Sequence, residues 1–471
     1  MGGGIIQLVA VGSQDMYLTG NPEFTYFAMV FKKHTNFSME SIKLAFITNP
    51  TLGGGSGGTY TCRIDRNADL MKEVYLSFAL PDIYSSDLHR FQWIKNIGTY
   101  MIRQYTLSIG GVVIDTQYGE WMDIWTELSM PESKRATYNR MIGNVEEFTA
   151  PKALAPEVIV ISNQLTYSSY PAGVAGSPSI AGRRFYVPLN FWFCKTSSLA
   201  LPLAALQYQF VEITFNFRPL NELYQIFDRT FPLGGKYVSP TYFEARHLNQ
   251  VGDPLSGSVD ISRFLSPPGE PIGTSVIDMK AYLEVNYIYL DTPELNVVAG
   301  FPHDYLIETL TQLTPGEVLA QSTIDIVLQN PCKELVWITR RTDAVNYNEW
   351  ANYTNNMPED STKPILKTAH LTFNGSDRFS EKEGDYFNLL QPYQHHTNSP
   401  RQGIYVYSFA LYPEKPQPSG SCNMSMINTV SLTLTLNPPA DSSYRYNVVI
   451  YALKYNVLRV ISGSGGVAFQ E

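Results

Sequence analysis

At 471 residues the chain is too long for one ordinary hydrophobic core, and two folded parts are expected. An apolar share of 44 % beside 16 % charged excludes a disordered chain, and the low charge suggests that partners cover much of the surface. A net charge of −9 with no long Lys/Arg run excludes a nucleic-acid patch, so no direct contact with nucleic acid is expected.

Residues 1–24 mix glycine, short apolar pieces and the turn Thr19-Gly20-Asn21-Pro22. They predict an arm that packs against something else, not a regular element. The start lacks a basic region and a long apolar run, so a signal peptide is not expected. Ile6 stands where a myristoylation motif needs Ser or Thr. The apolar residues Phe24, Tyr26, Met29, Val30 and Phe31 follow.

Ser41 to Phe46, Tyr60 to Ile64 and Val74 to Leu80 read as strands, with a flexible Gly-rich loop at 53–58. Leu88, Phe91, Ile94 and Ile97 recur at three-residue steps and predict a short amphipathic helix over 85–97. Tyr105 to Ile109 is a strand that ends in the turn Gly110-Gly111. Gly119-Glu120-Trp121-Met122 opens a helix with Trp121, Trp125 and Leu128 on one face and a stop at Pro131. Residues 131–183 read as loop-rich, with one apolar run from Val158 to Ile161.

Two strands then repeat. Val211, Ile213, Phe215 and Phe217 alternate with polar residues, and so do Val430, Leu432, Leu434 and Leu436. Strict alternation predicts half-buried strands, and a proline stops each. Tyr186-Val187 and Tyr405-Val406 stand at the same spacing from each other as Val211 and Val430. The Gly turns at Gly110-Gly111 and Asn374-Gly375, followed by Gly119 and Gly384, repeat at a longer spacing. Two copies of one β unit follow, the first longer between its Gly turn and its late strands. This predicts an all-β protein of two tandem sandwiches. The expected divisions are an arm at 1–24, a first unit at 25–220, a connection with an elaborated loop at 221–275, and a second unit at 276–471. Leu283 to Leu290 is the expected opening strand of the second unit.

Few residues suggest chemistry. His395-His396 lacks the further ligands a metal needs and reads as a solvated loop. His303-Asp304 reads as structural. Glu381, Glu383 and Asp385 read as a solvated turn, because neighbours on one loop rarely face each other across a cleft. No nucleotide-binding or hydrolase motif occurs. Phe191, Trp192 and Phe193, in an apolar strand, read as core in preference to a sugar platform. Cys62, Cys194, Cys332 and Cys422 are far apart in sequence and too few for a secreted disulfide scaffold. Folding in a reducing cytoplasm is expected. Asn36, Asn352, Asn374 and Asn423 lie in Asn-x-Ser/Thr sequons.

The opening GGGIIQLVAVGSQDMYLTGNPEFTYF with its later HTNF, the segments LSIGGVVIDTQYGEWMD and RFYVPLNFWFCKTSSLALPLAALQY, and the end YALKYNVLRVISGSGGVAF resemble one family. It is the major capsid proteins of the nucleocytoplasmic large DNA viruses, especially those of phycodnaviruses and marseilleviruses. The resembling segments are scattered from residue 2 to residue 469. The resemblance implies two eight-stranded jelly rolls, a homotrimer, and a pseudo-hexagonal capsomer in an icosahedral shell. It implies a structural protein of the virion, with no catalytic residue, cofactor or metal. The implied partners are copies of the chain, neighbouring capsomers, and minor capsid and penton proteins. The arm, through Ile5, Ile6, Gln7, Leu8, Gln14, Asp15 and Tyr17, is then expected to face the inner shell, where minor proteins or an internal membrane would meet it. Some viruses of the group carry glycosylated capsids, which makes Asn352, Asn374 and Asn423 candidate glycan sites. The alternative is a lectin-like, carbohydrate-binding sandwich.

Overall fold

The computed structural model describes residues 3–23, 25–27, 33–55, 57–86, 89–151, 169–170, 178–231, 235–247, 253, 255–267, 271–440 and 442–469. The chain divides into two compact units, Met1–Ser38 and Met39–Glu471. In the first, Gly3–Val9 (α1) and Met16–Thr19 (α2) are helical, so the expected irregular arm carries two short helices. Asp15 fixes the second turn locally. Its Oδ2 accepts from the Gly12 N–H at 2.6 Å, and its carbonyl accepts from the Thr19 hydroxyl at 2.8 Å. Phe24, Met29, Val30 and Phe31 lie outside the described residues.

The rest folds as two sandwiches with one topology. The first contains β1 (Phe37–Ala45), β2 (Thr59–Ile64), β3 (Leu70–Leu80), β4 (Ile102–Ile109), β5 (Val112–Tyr118), β6 (Arg183–Pro188), β7 (Val211–Phe217) and β8 (Tyr282–Leu290). Its sheets run β1-β8-β3-β6 and β2-β7-β4-β5. The second contains β9 (His303–Val318), β10 (Gln321–Asp325), β11 (Pro331–Arg341), β12 (Leu366–Phe373), β13 (Ser376–Glu383), β14 (Ile404–Ser408), β15 (Val430–Leu436) and β16 (Tyr446–Ile461). Its sheets run β9-β16-β11-β14 and β10-β15-β12-β13, the same order in the second set of eight. Two four-stranded sheets in this order form an eight-stranded jelly roll.

The twin strands are β7 and β15. Their apolar residues all face their own cores, as the alternation predicts. The second match does not share this register. Val187 points into the first core, while Val406 lies on the outer face of its sheet. The strands β6 and β14 are equivalent, but the dipeptides are one residue out of step.

Three expectations are corrected. Leu283 to Leu290 does not open the second unit. It pairs with β3, Leu283 opposite Leu76 and Val285 opposite Val74, and fills the slot between β1 and β3. Residues 221–275 are therefore a loop of the first sandwich. The crossing to the second is the stretch 291–302. Second, 85–97 is not one helix. Phe91–Trp93 is a strand paired with Tyr224–Ile226, and the two-residue alternation that buries Phe91 and Trp93 prevails over the three-residue step. Leu88 lies outside the described residues. Third, the stretch after Pro131, read as loop-rich, opens with helices. Gly119–Ser129 (α3), as predicted, is followed by Glu132–Ile142 (α4) and a turn of helix at Glu146–Thr149. Val158 to Ile161 lies outside the described residues. The inter-sandwich helix is Thr292–Gly300 (α5), capped by Asp291, whose Oδ1 accepts from the Thr292 N–H at 2.7 Å.

Each sandwich has its own core. A third apolar cluster lies between α3 and the outer face of the sheet β9-β16-β11-β14. That sheet is thus covered on both faces. This explains the unbroken burial along Cys332–Thr339, Ile404–Ser408 and Val448–Asn456, apart from the neighbours of their ends.

Candidate functional site

Within Met39–Glu471, buried aromatic and charged side chains gather where the two sandwiches meet. Helix α3 leaves β5 and presents Trp121, Ile124, Trp125 and Leu128, the i, i+3, i+4, i+7 stripe of a helix. The stripe packs on Val336, Ile338, Ile404, Val406, Val449 and Tyr451 of the second sandwich. Gly119 permits this start. A Cβ there would stand 2.1 Å from the carbonyl oxygens of Ile102 and Thr99.

Polar groups rim the stripe and are matched across the joint. Glu120 accepts from Arg340 at 2.7 Å and from the Tyr451 hydroxyl at 2.7 Å. Asp123 accepts from Asn96 Nδ2 at 2.7 Å, from the Tyr100 hydroxyl at 2.8 Å and from Arg401. Burial opposes the charge on Arg401, but Asp123 and the phenolic oxygens of Tyr100 and Tyr353 outweigh it and hold the guanidinium well above its usual range. Nearby, Glu308 accepts from Lys195 of the first sandwich at 2.5 Å and from Lys333. Burial alone would raise the Glu308 pKa, and the two lysines bring it below the usual range. Asp115 accepts from the Leu310 N–H at 3.3 Å, and burial pushes its pKa up to about 6. These are buried, compensated charges of a fixed joint.

His396 corrects the expected solvated loop. Its side chain is fully enclosed, with Nε2 3.0 Å from Glu334 and Nδ1 3.1 Å from Glu414. Burial disfavours the charged ring, yet the two carboxylates raise its pKa to about 9. His395 turns away, its Nδ1 3.1 Å from the Leu411 carbonyl. His303 and Asp304 do not form a pair: His303 Nε2 meets the Val298 carbonyl at 2.8 Å, and Asp304 is held by Arg459 at 2.9 Å and 3.0 Å. Glu381, Glu383 and Asp385 are exposed. Among the described residues no group of three His, Cys, Asp or Glu is placed to hold a metal ion.

Asn352 is corrected as a glycan site. It is buried, and its amide donates to Glu349 at 2.8 Å and to the Asn356 carbonyl at 2.9 Å. Asn374 and Asn423 are exposed. Phe191, Trp192 and Phe193 are core residues, as expected, but Trp192–Lys195 is a helical turn and not a strand. No sugar platform forms from them. The four cysteines are free. Cys332 and Cys422, remote in sequence, face each other across a strand pair. In the arm, Ile5, Ile6, Gln7, Leu8, Gln14 and Tyr17 are exposed and Asp15 is half-buried.

Sequence reading missed one surface feature. Residues 384–395 form a helical run after β13, and Leu389, Leu390 and Tyr393 on it are exposed. The echo of Gly119 in Gly384 was the available signal.

The chain matches two family profiles in succession. Residues 25–291 match the "Major capsid protein N-terminus" and residues 294–466 the "Large eukaryotic DNA virus major capsid protein". The change of profile falls where the chain crosses between sandwiches. The chain is 33 % identical to the major capsid protein of Phaeocystis pouchetii virus and 34 % to that of Pyramimonas orientalis virus, each over 100 % of both chains. Among solved structures, it is similar to the capsid of PBCV-1 in a quasi-atomic model. That match has a TM-score of 0.66 at 26 % identity and covers 95 % of this chain and 100 % of the other. The Faustovirus major capsid protein shares the fold, with a TM-score of 0.68 at 13 % identity over 96 % of this chain and 94 % of the other. The chain belongs to the major capsid proteins of large eukaryotic DNA viruses, structural proteins of the virion and not enzymes.

Proposed function

We propose that three copies of this chain form a homotrimeric, pseudo-hexagonal capsomer of an icosahedral shell. The observation that carries this reading is the repeated topology. One chain supplies two sandwiches of identical strand order, so three chains supply six similar pillars for a sixfold lattice site. Closing such a ring requires obligate contacts, on the order of 2,000 Å² each. The capsomer then meets neighbouring capsomers along its sides, and minor capsid and penton proteins at the shell's inner face and vertices. Assembly takes place in the host cytoplasm. The exposed apolar residues Ile5, Ile6, Leu8 and Tyr17 make the arm, residues 1–24, a segment for a partner at the inner shell or the internal membrane. Of the candidate glycan sites, Asn374 and Asn423 are exposed and open to a glycan.

The test is the native mass of the purified chain by light scattering. Three times 53.0 kDa is expected, and a stable monomer at millimolar concentration overturns the reading.

A further inference from the structure

The two sandwiches repeat more than their strands. In each sandwich a helix starts at a glycine directly after the hairpin strand, Gly119 after β5 and Gly384 after β13. Both glycines lie against the equivalent carbonyl: a Cβ at Gly119 would meet Ile102 O, and one at Gly384 would meet Leu366 O at 3.0 Å, each the first residue of its strand β4 or β12. Counting on from these glycines, Met122 and Phe387 occupy the same place, and each enters the core of its own sandwich. By the same count the stripe Trp121, Ile124, Trp125, Leu128 aligns with Tyr386, Leu389, Leu390, Tyr393, although Tyr386–Leu390 winds as a π-helix where the first stripe is α-helical.

The first stripe is buried on the second sandwich. Of the second, Tyr386 is half-buried against its own core, while Leu389, Leu390 and Tyr393 are 50 %, 44 % and 81 % exposed. The sheets show the reverse. The outer face of β9-β16-β11-β14 is covered by α3. Among the described residues no helix lies over the outer face of the like sheet β1-β8-β3-β6 in this way. There Tyr186 and Tyr282 flank Ser77 in one row and Glu284 sits beside Tyr75 in the next, with Tyr186 38 % exposed. Arg184 and Lys43 lie over the Tyr282 ring on this face, 4.8 Å and 5.0 Å from its centre.

We infer that the helical run 384–395 docks on the outer face of β1-β8-β3-β6 of a second copy of this chain, repeating between chains the joint that α3 makes within one. The inference rests on the homotrimer reading and names its contact. One unmatched stripe and one unmatched sheet per chain are what a head-to-tail contact needs, and such contacts close a ring when the rotation permits. Charge agrees. Asp385 is the counterpart of Glu120, which meets Arg340 inside the chain, and Glu381 and Glu383 lie beside it. The receiving face offers Arg184 and Lys43. Tyrosine and arginine are also the residues enriched at the centres of protein interfaces.

The test uses the full chain. Leu389→Asp with Leu390→Asp removes the inserted stripe, and Tyr186→Asp spoils the receiving face. All three residues are exposed, so circular dichroism should show the fold intact. Each variant alone is expected at the mass of one chain. Mixed one to one, they retain a single intact contact and are expected as a pair and never a trimer. A persistent trimer in the stripe variant overturns the inference and leaves the trimer standing. A wild-type chain that forms no trimer overturns both. A second measurement does not depend on disrupted variants. Leu390→Cys combined with Tyr186→Cys should be cross-linked by a bismaleimide into two- and three-chain bands, with neither single variant doing so. Absence of those bands overturns the inference.

Discussion

At the residue scale the clearest example is His396. Both ring nitrogens face carboxylates, so the imidazolium is the form the fold prefers. Its pKa of about 9 lies above the ordinary value of 6.5. A raised pKa stabilises the fold fully below the unfolded value and loses that contribution as pH rises through the folded one. His396→Gln should therefore open a stability gap of at most ~3 kcal/mol near pH 6. The gap should shrink steadily to pH 9.5, as read by urea denaturation across that range. A gap that widens with pH contradicts the assignment. Gly119 makes a second prediction. A Cβ 2.1 Å from two carbonyl oxygens cannot be accommodated by a side-chain shift, whereas the Gly384 site meets its carbonyl at 3.0 Å. Gly119→Ala should cost roughly 3 kcal/mol or more and Gly384→Ala roughly 1 kcal/mol in the same denaturation experiment. Such sites were illegible in sequence for a common reason. The partners of His396 are Glu334 and Glu414, and the hydrogen bonds that bury Asn352 come from a folded loop. Neither leaves a local pattern.

At the element scale, periodicity spoke wherever one face of an element met one core. β7, β15 and α3 follow their patterns because their inward residues are decided locally. It failed where a partner strand decided the outcome. Phe91 and Trp93 take the period of their neighbour Tyr224–Ile226. β8 reads as the beginning of something new because a long loop precedes it, yet its place between β1 and β3 is set by open strand edges far back in the chain. Helix α3 was legible as a helix and not as a joint, since its stripe looks the same whether it covers its own core or another. Trp121 is 2 % exposed at the centre of that joint. Trp121→Ala should leave a cavity between the sandwiches and cost about 3–5 kcal/mol in urea denaturation. A loss well under 1 kcal/mol would mean that the sandwiches do not depend on this contact.

At the scale of the whole molecule, the two sandwiches are alike in framework and unlike in loops. Between β5 and β6 the first carries 119–182, while the second has only 384–403 in the same place. Between β7 and β8 it carries 218–281, against 437–445. Insertions at fixed places on a fixed frame explain why strand repeats were readable while domain boundaries drawn from composition were misplaced. The arm adds an independent prediction. Deleting residues 1–24 should leave trimers of unchanged melting temperature that assemble poorly into shells, scored by electron microscopy; normal shells from the truncated chain contradict the proposed role. The crossing at 291–302 has a kinetic consequence. In the proposed capsomer it ties two pillars into one molecule, so every second contact of the six-pillar ring would be made at the high effective concentration of a short tether, before any collision between chains. Ring closure then becomes a three-body event in place of a six-body one. On dilution the concentration of such rings would fall with the third power of the free chain concentration, and no such ring could be left with an odd number of pillars.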